Sequence, residues 1–407
     1  MNYLFWRIFI GFSCAHIVCM HSLAYKVGLE TISSDLVKKY GLDVSRVGLV
    51  TNQSGCDQKG ISNVSILKTQ GVSIITIFAP EHGFTGTVEA GKTVHNTIAA
   101  SGIPIVSLYA HQEGLVGRTI NSQVVENIDI LLFDIQDCGM RHYTYISTLM
   151  RVLEAAATYK KKVLVLDRPN ILGPAIEGPL VDSELISFIS IAPIPLRYGL
   201  TIGELALYFN KYILKKPAEL YIIPMQQYKR QPVTKLVAPL SPNIHTIQAC
   251  YGYSFLGLLG EIRPFDVGVG TQYPFTCIML PRSKKVPALF WQAVKQLLGQ
   301  YHVKSWSYST FNERKKEYCD GVRIEISDIN KVRSFELFIK LLQLASKYMQ
   351  LSYAPTFDKA IGTVQIRQMI HNNASMQLIT KKYKDALRIF HKQAQPLFLY
   401  MPRPYIA

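Results

Sequence analysis

Four short polar clusters carry the residue types that do acid–base and ligand-binding chemistry. They are Asn52-Gln53-Ser54-Gly55, Ala79-Pro80-Glu81-His82-Gly83, Asp134-Ile135-Gln136-Asp137 and Asp167-Arg168-Pro169-Asn170. Carboxylates such as Glu81, Asp134 and Asp137 can give or take protons, and the imidazole of His82 can tune that exchange or hold a hydroxyl. Amide and guanidinium groups at Asn52, Gln136, Asn170 and Arg168 can hold the polar edges of a ligand. Asp and Asn also cap helices and form turns for reasons of their own, which accounts for any one of these positions taken singly. The four clusters taken together are not accounted for in this way, because capping does not require the Glu-His, Gln and Arg they contain.

Each cluster follows a short β-branched or aliphatic run, so the elements that position it are strands. Strands are expected at 47–51, 73–78, 103–108, 128–133, 163–166 and 220–223, with helices at 31–39, 145–159 and 202–212 between them. Near-continuous apolar runs such as Ile130-Leu131-Leu132-Phe133 indicate strands covered on both faces, as in a parallel sheet with crossover helices. In such sheets the ligand crevice lies outside the carboxyl ends of the strands, where these clusters fall. The expected fold class is therefore α/β, a doubly wound parallel sheet with a second, smaller α/β or α+β auxiliary domain. The auxiliary domain is expected after a stretch rich in Gly, Pro and aromatics at 264–281, with a helix at 288–300, a strand at 322–326 and helices at 335–349 and 382–391. The chain divides accordingly into residues 25–265 and 266–407.

A chain of 407 residues with 48% hydrophobic and 18% charged residues has enough apolar surface to fold. The formal charge of +16 favours anionic partners. Nucleic acid is not expected among them, because the basic runs are short and scattered along solvated helix edges. Arg7, the apolar stretch from Ile8 to Met20 and Ser22-Leu23-Ala24 read as a signal peptide over residues 1–24, implying export to the periplasm, cell envelope or medium. No later stretch is long and apolar enough to span a bilayer. Cys56, Cys138, Cys250, Cys277 and Cys319 are odd in number and widely spaced, so neither a disulfide framework nor a metal site is written in the sequence, and no cofactor is expected.

Gly86-Thr87-Val88-Glu89-Ala90-Gly91-Lys92-Thr93 has the spacing of a phosphate-binding loop. Such a loop must leave its strand directly and open a helix whose N-terminus holds the anion. Here the strand ends well before Gly86, little room for a helix follows Thr93, and Glu89 would put a negative charge in the cradle. Nucleotide hydrolysis is the minor reading.

The clusters continue into longer strings: Phe78-Ala79-Pro80-Glu81-His82-Gly83, Asp134 to Gly139 followed by Arg141-His142-Tyr143-Thr144-Tyr145, Leu166 to Asn170, Glu177-Gly178-Pro179, Gly199 to Ala206 and Ser241-Pro242-Asn243. In this order they resemble the NamZ-type exo-β-N-acetylmuramidases, peptidoglycan-recycling glycosidases with a Rossmann-like domain and a smaller auxiliary one. The resemblance implies removal of N-acetylmuramic acid from non-reducing ends, with muramyl saccharides as partners. Two departures bear on substrate preference: Val269 stands where the family usually has an arginine, and Lys92 where it usually has an acid. Glycoside hydrolysis needs an acid for the leaving oxygen and a second group at the oxocarbenium-like centre. Glu81 is expected to be the acid, His82 its neighbour in the reaction, and Asp137, in preference to Asp134, the second group, unless the substrate's own acetamido oxygen takes that part. Arg141 and Arg168 are the candidates for the lactyl carboxylate. Tyr143 and Tyr145 could offer ring faces and hydroxyls, and Asn52, Asp134, Gln136, Asn170 and Glu177 complete the expected binding residues. Thr201-Ile202-Gly203-Glu204 reads as a capping box, which leaves Glu204 outside the site. A non-catalytic wall-sugar-binding module would share this cleft without needing an ionisable Glu81.

Overall fold

The computed structural model describes residues 25–108, 120 and 122–407; the signal-peptide expectation falls on residues 1–24, outside those described. The chain opens with α1 (Ser34–Tyr40), β1 (Val47–Thr51), α2 (Asn63–Thr69), β2 (Ile74–Ala79), the two-residue β3 (Thr97–Ile98), β4 (Pro104–Ser107), α3 (Ser122–Glu126) and β5 (Ile130–Asp134). It continues through α4 (Tyr145–Tyr159), β6 (Lys162–Leu166), β7 (Ala175–Ile176), α5 (Ile202–Tyr208) and β8 (Glu219–Ile223). One seven-stranded sheet runs in the order β3-β4-β2-β1-β5-β6-β8, with every pairing parallel except β3 with β4. The strand order reverses between β1 and β5, which is the switch point of a doubly wound sheet.

Side chains alternate across the strands into two apolar layers, which is why the strand runs lack polar residues. Leu49, Ile77, Leu132 and Leu164 pack on one face with Leu29, Val37 and Leu67. Val50, Phe78, Phe133 and Val165 pack on the other with α4 and α5, through Ile146, Leu149, Leu153 and Leu205. α5 starts with the expected capping box: Thr201 accepts from the Glu204 amide and Glu204 accepts from the Thr201 amide. Glu204 also pairs with Arg230, both side chains fully buried.

The rest of the chain forms α6 (Ile247–Leu259), β9 (Ile262–Arg263), β10 (Cys277–Pro281), α7 (Ala288–Gln300), β11 (Val303–Asn312), β12 (Glu317–Ile326), α8 (Ser334–Ala345), β13 (Ser352–Tyr353), α9 (Phe357–Ile361), α10 (Val364–His371), α11 (Met376–Ala394) and β14 (Tyr405–Ile406). β10, β12 and β11 make a three-stranded antiparallel sheet backed by α7 and α6, on which α8 packs in turn. Its apolar face merges with the larger core, where Phe290, Val322 and Phe338 join the cluster that contains Phe133. Returning segments tie the end of the chain to its N-terminal half: β14 pairs with β7 in a separate two-stranded sheet, and the Tyr400 hydroxyl donates to Asp167 at the exit of β6. Among the described residues no helix is long and apolar enough to cross a membrane. The five described cysteines are buried free thiols.

Candidate active site

β2 delivers Glu81 and His82 to a cleft of about 520 Å³, whose other walls come from the start of α4, from the segment 241–275 and from the β11–β12 turn. A space of this size suits a small polar ligand such as one sugar ring and its substituents. The chain turns sharply after β2. His82 has φ +70° and Gly83 φ +78°, and Gly83 closes the turn by donating to the Pro80 carbonyl. A left-handed histidine is uncommon and is held by its surroundings. Its Nδ1 lies 2.7 Å from the Val88 carbonyl, to which it donates, and this contact fixes the orientation of the ring.

Both Glu81 oxygens are oriented. The Gly91 amide donates to Oε1 at 3.0 Å and the Thr144 hydroxyl donates to Oε2 at 2.6 Å. Thr144 is the N-cap residue of α4, yet its side chain makes no capping bond. A local rule of helix starts is thus given up to serve the carboxyl group, as happens at functional sites. The hydroxyl can donate to the carboxylate and accept from the carboxylic acid, so it fits both protonation states.

His142 forms another part of the wall. It stacks on Tyr253 with ring centroids 4.8 Å apart, and neither ring nitrogen has a protein partner. Burial, reinforced by the neighbouring Arg141 charge, pulls its pKa down to about 3, so it is neutral at ordinary pH. Gly257 of α6 makes room for it, because a Cβ there would stand 2.5 Å from His142 Nε2.

Of the residues expected from sequence, Glu81, His82 and Tyr143 line this cleft. Tyr145 stands edge-on to Tyr143, fully buried, and donates its hydroxyl to the Leu240 carbonyl. Asp137 is corrected: it is in the interior and not on the cleft wall. Its Oδ2 accepts from the Gly139 amide and the Tyr198 hydroxyl, and burial raises its pKa to about 7. Arg168 and Asp134 are corrected together, since they form a buried bidentate pair at 2.6 and 2.9 Å, with Asn63 on the same carboxylate at 2.7 Å. Arg141 is corrected as well. Its guanidinium donates to the carbonyls of Pro179, Ile194 and Ala360 and to Ser190, all in the core.

Glu177 pairs with buried Arg197 and accepts from the Phe335 amide. Asn52 accepts twice from Ser54, Gln136 donates to the carbonyls of Asp137 and Pro169, and Asn170 bonds the main chain at Leu172 and Leu200. Gln136 and Arg168 also border a cavity of about 50 Å³, room for water but not for a sugar. The strand-exit clusters other than Glu81-His82 therefore lock the loops under the cleft. Sequence reasoning passed over His142, Thr144 and Asn243 as cleft residues although the quoted strings contained them. It had no signal for Tyr253 or for Arg263, Arg314 and Lys315. Val269, at the position of the absent arginine, does line the cleft.

The buried Asp137 carries a pH prediction. In an unfolded chain it ionises near about 4, whereas the folded chain keeps it protonated to about 7. The folded state therefore binds more protons between those values, so this group's contribution to stability is full below about 4 and is lost as pH rises towards 7. Denaturation midpoints measured from pH 4 to 7 should fall less steeply for Asp137→Asn than for the parent. Equal slopes would show that Asp137 is not a buried acid.

The phosphate-loop reading fails on geometry. From Phe84 to Asn96 the chain is turn and coil that leads into β3, so no helix N-terminus follows Lys92, which is exposed.

The comparisons agree with this architecture. Residues 47–248 match the N-terminal model and residues 251–400 the C-terminal model of exo-β-N-acetylmuramidase NamZ. The chain is 32% identical over 393 residues to the peptidoglycan β-N-acetylmuramidase NamZ of Bacillus subtilis strain 168, covering 92% of this chain and 91% of that one. Two crystal structures of DUF1343 family proteins from Bacteroides fragilis NCTC 9343 superpose with TM-scores of 0.77 and 0.71. They are 29% and 27% identical, and the matches cover 92% and 93% of this chain and 99% of each of theirs. With both halves matched in order, and with the Glu81-His82 turn opening into a sugar-sized cleft between them, the chain belongs to the NamZ family of exo-β-N-acetylmuramidases, which are glycosidases.

Proposed function

We propose that this protein releases N-acetylmuramic acid from the non-reducing ends of peptidoglycan fragments, with Glu81 as the general acid. The observation that carries the reading is the setting of Glu81. It is a carboxyl group on a cleft wall, aimed by one backbone amide and one hydroxyl, with the His82 imidazole next to it in the same turn. The other carboxylates on the cleft are engaged: Asp266 holds Lys315 and Asn312, and Glu261 accepts from Thr356. That leaves the substrate's acetamido oxygen as the better second group, the substrate-assisted route open to N-acetylated sugars. Neutral His142, stacked on Tyr253, then adds an uncharged ring to the wall beside the sugar. The positive charge of the chain suits anionic wall fragments, and the N-terminal apolar segment suits export to the cell envelope, where those fragments arise.

Chromogenic β-glycosides of N-acetylmuramic acid and N-acetylglucosamine, incubated side by side, test the function. Release of the chromophore is expected from the first and much more slowly from the second. Saturable binding of muramyl sugars with no release from either would instead identify a non-catalytic sugar-binding protein.

A further inference from the structure

Three basic side chains reach the cleft from outside the first sheet: Arg263, Arg314 and Lys315. Two are engaged locally. Lys315 lies 2.7 Å from the buried carboxylate of Asp266, and Arg263 donates to the Gly260 carbonyl of its own turn at 2.8 Å. Arg314 differs. The carboxylate paired with it is Glu89 at 3.9 Å, the outer limit of an ion pair, and both side chains are more than half exposed, at 56% and 58%. An exposed pair at this distance contributes little and is readily exchanged for a better partner.

The stem of Arg314 is nevertheless fixed. It stands in the turn between β11 and β12, where its amide donates to Asn312 Oδ1, and Asn312 in turn donates to buried Asp266. Gly270, with φ +90°, lets this turn close on the cleft wall, since a Cβ there would meet the Arg314 Cβ at 2.6 Å. On the opposite side, Glu89 is two residues from Gly91, whose amide orients Glu81. The anchored arginine therefore presents a loosely held guanidinium to the same cleft that the Glu81 carboxyl group lines.

We infer that Arg314 is the specificity-determining residue for an anionic substrate, exchanging Glu89 for the lactyl carboxylate of the sugar bound against Glu81. This rests on the muramyl reading proposed above. A guanidinium fork and a carboxylate make two parallel charge-assisted hydrogen bonds, which a neutral ester of the same shape cannot reproduce. The C-terminal half would thus select the substrate that the N-terminal half cleaves.

Titration calorimetry of the full chain with free N-acetylmuramic acid and with its methyl ester tests the assignment without turnover. The parent protein should bind the acid more tightly than the ester. Arg314→Ala should lose roughly ten- to a hundredfold in affinity for the acid while the ester loses far less. Affinities for acid and ester that fall in the same proportion, or that do not fall at all, would overturn it. Arg314-dependent binding of the acid by a protein that hydrolyses no muramyl glycoside would uphold this inference and sink the proposed hydrolysis. Hydrolysis of the acid form with no preference over the ester would do the reverse.

Discussion

Glu81→Gln is expected to lower kcat by roughly 10²–10⁴-fold, the usual worth of general acid catalysis, with little change in stability or sugar affinity. The substitution is close to isosteric. The glutamine oxygen can still accept from the Gly91 amide, and its NH₂ can donate to the Thr144 hydroxyl, which reverses its role. The loop after β2 should therefore keep its shape and lose only the transferable proton. A series of aryl glycosides of decreasing leaving-group acidity separates this from mere distortion. A lost acid hurts poor leaving groups most, because activated phenolates depart without protonation. A variant that keeps more than about a tenth of the parent rate on a poor leaving group falls below the range expected of such an acid and would remove Glu81 from the mechanism. An equal loss across the series would point to misplacement of the substrate instead.

Much of this site was legible because two signals are local. β1, β5 and β6 read directly as unbroken apolar runs since both sheet faces are covered, and their exits are marked by the first polar residues after them. Glu81 and His82 are at such an exit, and both line the cleft. The same logic misassigned Asp137 and Arg141, because position after a strand does not say which way a side chain turns. At Gly139, with φ +101°, the chain reverses, and the following arginine points into the core. α6 was invisible for a different reason. It is buried on nearly all sides, so Ala249, Phe255, Leu256 and Leu259 show no amphipathic period against which to read it. The far wall of the cleft, from Ser241 to Phe275 with Arg314 and Lys315, exists only once β11 and β12 pack beside the first sheet. No sequence spacing encodes contacts of that range.

Arg141→Ala should be the most damaging single substitution to stability, and it should leave substrate selectivity alone. The guanidinium is fully buried, with no carboxylate among the described residues within hydrogen-bonding distance, and burial pulls its pKa down to about 9. What holds it is geometry. Nη1 donates to Pro179 O at 2.7 Å and Ile194 O at 2.8 Å, Nη2 to Ala360 O at 3.1 Å and Nε to Ser190 Oγ at 3.2 Å. Three of these partners belong to the 179–194 segment and the fourth to α9, so one side chain bridges the two halves of the chain. Gly362, with φ +93°, leaves the space, since a Cβ there would lie 2.4 Å from Nη2. Removing the side chain strands three buried carbonyls, each worth about 1–3 kcal/mol unsatisfied, and opens a cavity; a total loss on the order of 3–5 kcal/mol is expected. Arg141→Lys should recover only part of it, because an ammonium on a flexible stem cannot reproduce the planar fork. Denaturant midpoints of the two variants measure the loss, and the ratio of affinities for muramic acid and its methyl ester, taken on the fraction that remains folded, measures selectivity. A stable Arg141→Ala protein that no longer tells acid from ester would return the lactyl-binding role to Arg141 and take it from Arg314.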